Sequence, residues 1–245
     1  MSNPLSERVP QPDRAQDIVN VVGQTALNLI PFVGGAVATA VAGVLAVQSA
    51  NETNELIGRI ATVVDDLTGR VDGLTLESIA SEPRFLATAE KVVRAAREQP
   101  DQEHRERLIR ALRHAGPWSQ QDRYAVDRMT DLLTRVGPIH IFLLRFFANP
   151  LEWLMSNANE RWSRGQEYTT GGNMIRILGE YVFPDGVVPI TEVARIVSEL
   201  QRESLMPETR DGFLTTNMTG NGLIEPRLTE FGQTFLKFAE GSLEP

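Results

Sequence analysis

From Asp13 to Ile30 the apolar residues Ile18, Val22, Ala26 and Leu29 recur at helical spacing, which predicts a helix. Pro31 interrupts it, because proline removes a donor and clashes with the preceding turn. Gly34 and Gly35 follow, so the stretch IPFVGG reads as the corner of a helical hairpin. A second helix restarts near Ala36 and meets no proline until Pro83. Its later part carries Leu56, Ile60, Val63, Leu67, Val71 and Leu74, close to a heptad seam. Such a helix of about 35 residues would be about 50 Å long, with Gly69 and Gly73 fraying its end.

Shorter helical patterns follow. SEPRFLATAEKVVRAAREQ opens with Ser81 as the expected N-cap and Pro83 in the first turn. DQEHRERLIRALRHAG caps at Asp101 and stops at Gly116; SQQDRYAVDRMTDLLTRVG is expected to cap at Ser119 and stop at Gly137. PIHIFLLRFFANP is almost wholly apolar and predicts a buried helix. PLEWLMSNANERWSRG places Trp153 and Trp162 on one helix. Short connections between these patterns predict a bundle.

The last third changes character. GGNMIRILGEYVFPDG reads as a helix ended by Pro184, and PITEVARIVSELQRESLM as a helix capped by Thr191. GFLTTNMTGNGLIEPRLT has two short runs around Asn221-Gly222, a pattern that predicts a β-hairpin. LTEFGQTFLKFAEG closes as an amphipathic helix with Leu228, Phe231, Phe235 and Phe238 on one side. Helix, helix, hairpin, helix, ending in RLTEFGQTFLKF, resembles the winged-helix domains of bacterial proteins over roughly residues 150–240. The resemblance implies a recognition helix at Thr191–Met206 and a wing at TNMTGNGL.

The stretch from Leu29 to Val47 has no charged residue. Within and beyond it Gly34, Ala38, Ala42, Ala46 and Ala50 recur every four residues, a small-residue stripe that lets two helix backbones approach closely. Three readings fit. A permanent transmembrane span is opposed by Pro31, Gly34 and Gly35. They leave an uninterrupted part of about 18 Å against a hydrocarbon thickness of ~30 Å. The flanks also lack nearby base, the closest being Arg14 and Arg59. A conditional membrane hairpin, with Ile30, Pro31, Phe32 and Val33 at its tip, is similar in style to the hydrophobic hairpins of helical pore-forming proteins. The third reading has the hairpin pack against itself, the bundle or a second copy of the chain. The seam from Leu56 to Leu74 favours this one, since a long helix with such a stripe wants a partner. On either of the last two readings, so much apolar surface must be covered.

Composition and charge narrow the function classes. The 245 residues hold no cysteine, which removes disulfides, thiolate metal sites and a cysteine nucleophile and fits a reducing, cytoplasmic location, peripheral to a membrane on the second reading. The start MSNPLSERVPQPDRAQD lacks the apolar run of a secretory signal, and residues 1–12 read as a loose arm. Of the 24 basic residues only Lys91 and Lys237 are lysine, a bias expected of a GC-rich bacterial genome. Net charge is −8, and residues 166–245 carry 6 basic against 12 acidic groups. An acidic segment repels phosphate backbones.

Candidate chemistry is sparse. His104 and His114 lie in a basic helix expected to be solvated, and His140 sits in an apolar run that suggests a core histidine bonded to backbone. Asp65 and Asp66 are adjacent and so point to different faces. TTGGN lacks the spacing of a phosphate-binding loop, and no G-x-S-x-G elbow occurs. No catalytic, cofactor-binding or metal-ligating residue is assigned. The arginines from Arg94 to Arg113 interleave with Glu98, Asp101, Glu103 and Glu106, the pattern of an ion-paired helix. On the recognition helix Arg195 and Arg202 face Glu192, Glu199 and Glu203, and the wing has no base. Both features favour a protein partner over nucleic acid.

The sequence therefore predicts a mainly α protein. Residues 13–148 form a helical hairpin and bundle, and residues 149–241 a winged-helix-like domain. The expected function is non-enzymatic: self-association through Gly34, Ala38, Ala42, Ala46, Ala50, Leu56, Ile60, Val63 and Leu67 into a homo-oligomer, with the C-terminal module engaging a protein. A membrane-inserting effector using residues 27–47 is the first alternative and a DNA-binding regulator the second.

Overall fold

A computed structural model describes residues 50–158, 171–184, 186–208 and 212–244. The protein is mainly α-helical; among the described residues there are eleven α-helices and no strand. The hairpin residues Gly34, Ala38, Ala42 and Ala46 and the tip Ile30, Pro31, Phe32 and Val33 lie outside the described residues, as does Trp162. Among the described residues no helix is long and apolar enough to cross a membrane. The chain divides into two units, Met1–Arg135 with Ala239–Pro245, and Val136–Phe238. The division falls before the apolar PIHIFLL helix, so that helix belongs to the second unit rather than to the bundle.

In the first unit α1 (Ala50–Arg70) ends close to where Gly69 and Gly73 predict. Leu56, Ile60, Val63 and Leu67 are all buried, and α1 packs on α2 (Leu76–Ser81), α4 (Gln102–Arg110) and the 3-10 turn Ala111–His114. The heptad-like seam thus finds its partners within its own chain. Thr75 and Ser78 form a reciprocal capping box at the start of α2. Helix α3 (Pro83–Glu98) is capped by Glu82, whose Oε1 accepts from the Arg84 N–H at 3.2 Å, and not by Ser81. Ser81 is the last residue of α2, and its hydroxyl donates back to the Glu77 carbonyl at 2.8 Å. Asp101 caps α4 as expected, accepting from the His104 N–H at 2.9 Å. Helix α5 (Arg123–Arg135) starts later than predicted. Asp122 takes the N–H groups of Tyr124 and Ala125, while Ser119 serves a turn by accepting from Gln121.

In the second unit α6 (Pro138–Ala148) is the predicted apolar helix, and α7 (Pro150–Asn157) follows after Asn149, which caps it. Helix α8 (Met174–Ile177) runs into a π-helical turn, Leu178–Val182, closed by Phe183 N–H donating to Leu178 O at 2.7 Å. Helix α9 (Ile190–Arg202) begins one residue before Thr191, which therefore does not cap it. Pro189 holds that place with φ −58°, and its carbonyl accepts from Glu192 and Val193.

The predicted β-hairpin is absent. Its turn, Asn221-Gly222, lies inside α10 (Gly220–Ile224), because Thr219 Oγ1 accepts from the Gly222 N–H at 3.2 Å and starts a helical turn there. The nearest approach to sheet is one antiparallel bridge, Gly172 to Met218. Helix α11 (Glu230–Glu240) closes the second unit and carries the chain on to Ala239–Pro245 of the first.

Candidate functional site

Two polar constellations stand out, one in each unit. In the second unit Gly137 and Pro138 open α6, which puts His140 in the first turn. His140 Nδ1 accepts from the Gly137 N–H at 3.2 Å, so Nε2 carries the ring proton and donates to Glu199 Oε2 on α9 at 3.0 Å. Glu199 also pairs with Arg195, whose Nε reaches Glu192 Oε2 at 2.9 Å. The His140 hydrogen bond, with the Arg195 charge behind it, holds the Glu199 carboxyl below the usual carboxylate range. Glu192 is lowered by its hydrogen bond from Arg195, and the Arg195 pKa is raised in return. Both ring nitrogens of His140 are engaged, so the ring has no vacant lone pair for general-base work. Sequence reasoning placed a backbone partner on His140 but missed Glu199, which lies 59 residues away and carries no local signal.

Beside it runs a row of aromatic rings. Phe183 meets Phe142 at 5.3 Å between centroids, Phe142 meets Trp153 at 5.6 Å, and Phe146 touches Trp153 at 5.5 Å and Phe147 at 5.0 Å. Phe147 continues to Phe213, over which Arg227 sits at 5.3 Å. On α7, on either side of Trp153 in sequence, Leu151 and Met155 stand one turn apart and are 41% and 50% exposed. A pair of open apolar side chains on one helix suits contact with another protein surface.

In the first unit the ion pairing expected from the interleaving holds for Arg107 of α4, with Glu103, and for Arg113 of the turn after it, with Asp66, while among the described residues Arg105 and Arg110 form no ion pair. Arg59 bridges Glu55 at 2.8 Å and Glu106 at 2.7 Å; Asp66 receives Arg70 at 2.6 Å and Arg113 at 3.0 Å. The element is not a solvated one, however. His104, Arg107 and His114 are buried, since α4 packs on α1, α3 and α5 at once. His104 Nε2 donates to Leu133 O at 3.1 Å, and burial lowers its pKa. Burial, reinforced by the Arg113 charge, pushes His114 down to about 4. Arg107 pairs with Glu103, yet its Nε and Nη1 are buried with no hydrogen-bond partner. A shallow cleft between α1, α3 and α4 is lined by Glu55, Leu56, Arg59, Ala96, Arg97 and Arg105.

No family model, curated protein or solved structure matches the chain. Among the described residues no group of three His, Asp or Glu side chains is arranged to hold a metal ion. Of the predicted self-association residues, Leu56, Ile60, Val63 and Leu67 are brought together, in the core of the first unit. Ala50 is the first described residue of α1, and the rest of the stripe lies outside the described residues.

Proposed function

We propose that the chain is a non-enzymatic interaction protein: it self-associates through the small-residue stripe Gly34, Ala38, Ala42, Ala46 and Ala50, and its second unit engages a protein partner. The observation that carries the second part is the state of Arg195. On a helix that grips DNA, an arginine at mid-helix is held open for phosphate. Here Arg195 is closed between Glu192 and Glu199, and no basic residue occurs from Gly212 to Pro226, where a wing would lie. Exposed Leu151 and Met155 support an apolar contact instead. The first part is supported by the spacing of the stripe and narrowed by the burial of the Leu56–Leu67 seam, which leaves residues 34–50 as the self-associating segment.

Two measurements test this reading. Ala42→Leu overpacks a close helix crossing and should lower the solution mass of the purified protein toward that of one chain; an unchanged mass overturns the self-association. A gel shift with random duplex at low salt should show no complex. Binding that weakens steeply with added salt would establish the DNA-binding reading in its place.

A further inference from the structure

On the first unit Arg70 and Arg113 share one acid, Asp66, and Arg110 lies next to Arg113. Asp66 Oδ1 is 2.6 Å from Arg70 Nε, and its Oδ2 is 3.0 Å from Arg113 Nε. Among the described residues no carboxylate forms an ion pair with Arg110, whose Nε is buried without a hydrogen-bond partner. The acids that attract Arg110 from a distance, Glu106 and Glu103, are already paired with Arg59 and Arg107, so the face holds more cation than its own acids neutralise.

Residues 239–244 run over this face and belong to the first unit. Helix α11 stops at Glu240, and Gly241, at φ +71°, turns the backbone away. A Cβ at Gly241 would sit 3.2 Å from Arg110 Cδ, 3.6 Å from Arg110 Nε and 3.7 Å from Arg113 Nη1. Only a residue without a side chain brings the backbone this near to both arginines at that φ. The approaching segment is matched in charge: a helix C-terminus carries partial negative charge, and Glu240-Gly-Ser-Leu-Glu244 adds two carboxylates and no base. Glu244 Oε2 stands 3.9 Å from Arg70 Nη1, and the two side chains are 77% and 51% exposed. A pair that long and that open is held loosely and is sensitive to salt.

We propose that Arg70, Arg110 and Arg113 form a docking face for an acidic polypeptide segment, that residues 240–244 occupy it as a clasp in the resting chain, and that an acidic segment of a protein partner displaces the clasp. The planar guanidinium forks suit carboxylates in a way that lysines would not. The loose outer pair provides the point at which exchange begins.

The test uses the full chain and a fluorescein-labelled synthetic peptide of residues 239–245, followed by anisotropy at low salt. Gly241→Val places a branched side chain against Arg110 at a positive φ and lifts the clasp. Glu244→Arg repels it from a position open enough to leave folding untouched. Both variants should bind the peptide about tenfold more tightly than the unaltered chain, because a tethered competitor has been removed. Added salt should weaken that binding, and introducing Arg110→Ala with Arg113→Ala into either variant should abolish it. Helicity and thermal midpoint of each variant, measured alongside, keep loss of binding distinct from loss of fold. Equal peptide binding by the unaltered chain and both clasp variants overturns the proposal. So does binding indifferent to Arg110 and Arg113, or tighter binding of a duplex oligonucleotide than of the peptide.

Discussion

Ser204 ends α9 at φ 59°, in the left-handed region that glycine usually fills. Its N–H donates to Gln201 O and the Leu205 N–H to Leu200 O, which together make a complete Schellman closure without the glycine. Ser204→Gly relieves the Cβ strain, partly offset by the freer unfolded chain, and should stabilise the protein by about 0.5–1 kcal/mol in urea unfolding. His114 gives a second residue-scale expectation. Its folded-state pKa is about 4 against an ordinary 6.5. Above pH 6.5 both folded and unfolded chains keep it neutral. As pH falls the unfolded chain takes the proton first, so stability drops from about pH 6.5 to about 4 and then levels, by roughly 3 kcal/mol for this group. His104, lowered in the same direction by burial, adds to the slope. Unfolding measured at about pH 7.5 and about pH 5 should show the loss, and His114→Gln should shrink it; an unchanged slope in the variant would mean the ring is charged in the fold. At this scale the sequence was informative where one residue decided the outcome, as Asp101 and Pro83 did. It misled where two candidates stood side by side: Ser81 beside Glu82, Ser119 near Asp122, Thr191 after Pro189. Ser81, Ser119 and Thr191 are all capping residue types, yet Ser81 is taken up as the end of α2, Asp122 serves in place of Ser119, and Pro189 stands at the N-cap in place of Thr191.

At the scale of the element, the stretch RLTEFGQTF is legible as a pattern, and the structure supplies its cause. Thr229 Oγ1 accepts from the Gly232 N–H at 2.9 Å, capping α11, and donates to Ser204 O at 2.6 Å. A Cβ on Gly232 would land on the Leu205 carbonyl oxygen. Threonine thus sets where the helix starts, and glycine sets how near it lies to the end of α9. Gly232→Ala should cost roughly 2–4 kcal/mol in thermal unfolding, and a loss under about 1 kcal/mol would show that the helix can slide aside. The hairpin expected at Asn221-Gly222 failed for a related reason. A two-residue turn signal needs strands to join, and Thr219 three residues ahead of Gly222 offered the backbone a helical turn instead. The π-turn at Leu178–Val182 has no sequence signature, because one extra residue in a helical ring leaves the apolar spacing on either side intact.

At the scale of the whole molecule, the seam packs within the first unit, while the stripe before Ala50 lies outside the described residues. Periodicity showed correctly that Leu56, Ile60, Val63 and Leu67 share a face, but it could not say whether that face meets another chain. All four are buried within the first unit, which favours packing inside their own chain. Leu67→Ala should therefore lower stability by about 2–5 kcal/mol while leaving the solution mass unchanged, the reverse of the expectation for Ala42→Leu. Light scattering paired with urea unfolding distinguishes the two, and a fall in mass from Leu67→Ala would return the seam to assembly. The discontinuous make-up of the first unit, in turn, constrains the order in which this protein can be made. Residues 239–244 are synthesised after all of 136–238, so the first unit is completed only once the whole of the second has been made. A nascent chain stalled before that point would carry Arg110 and Arg113 uncovered.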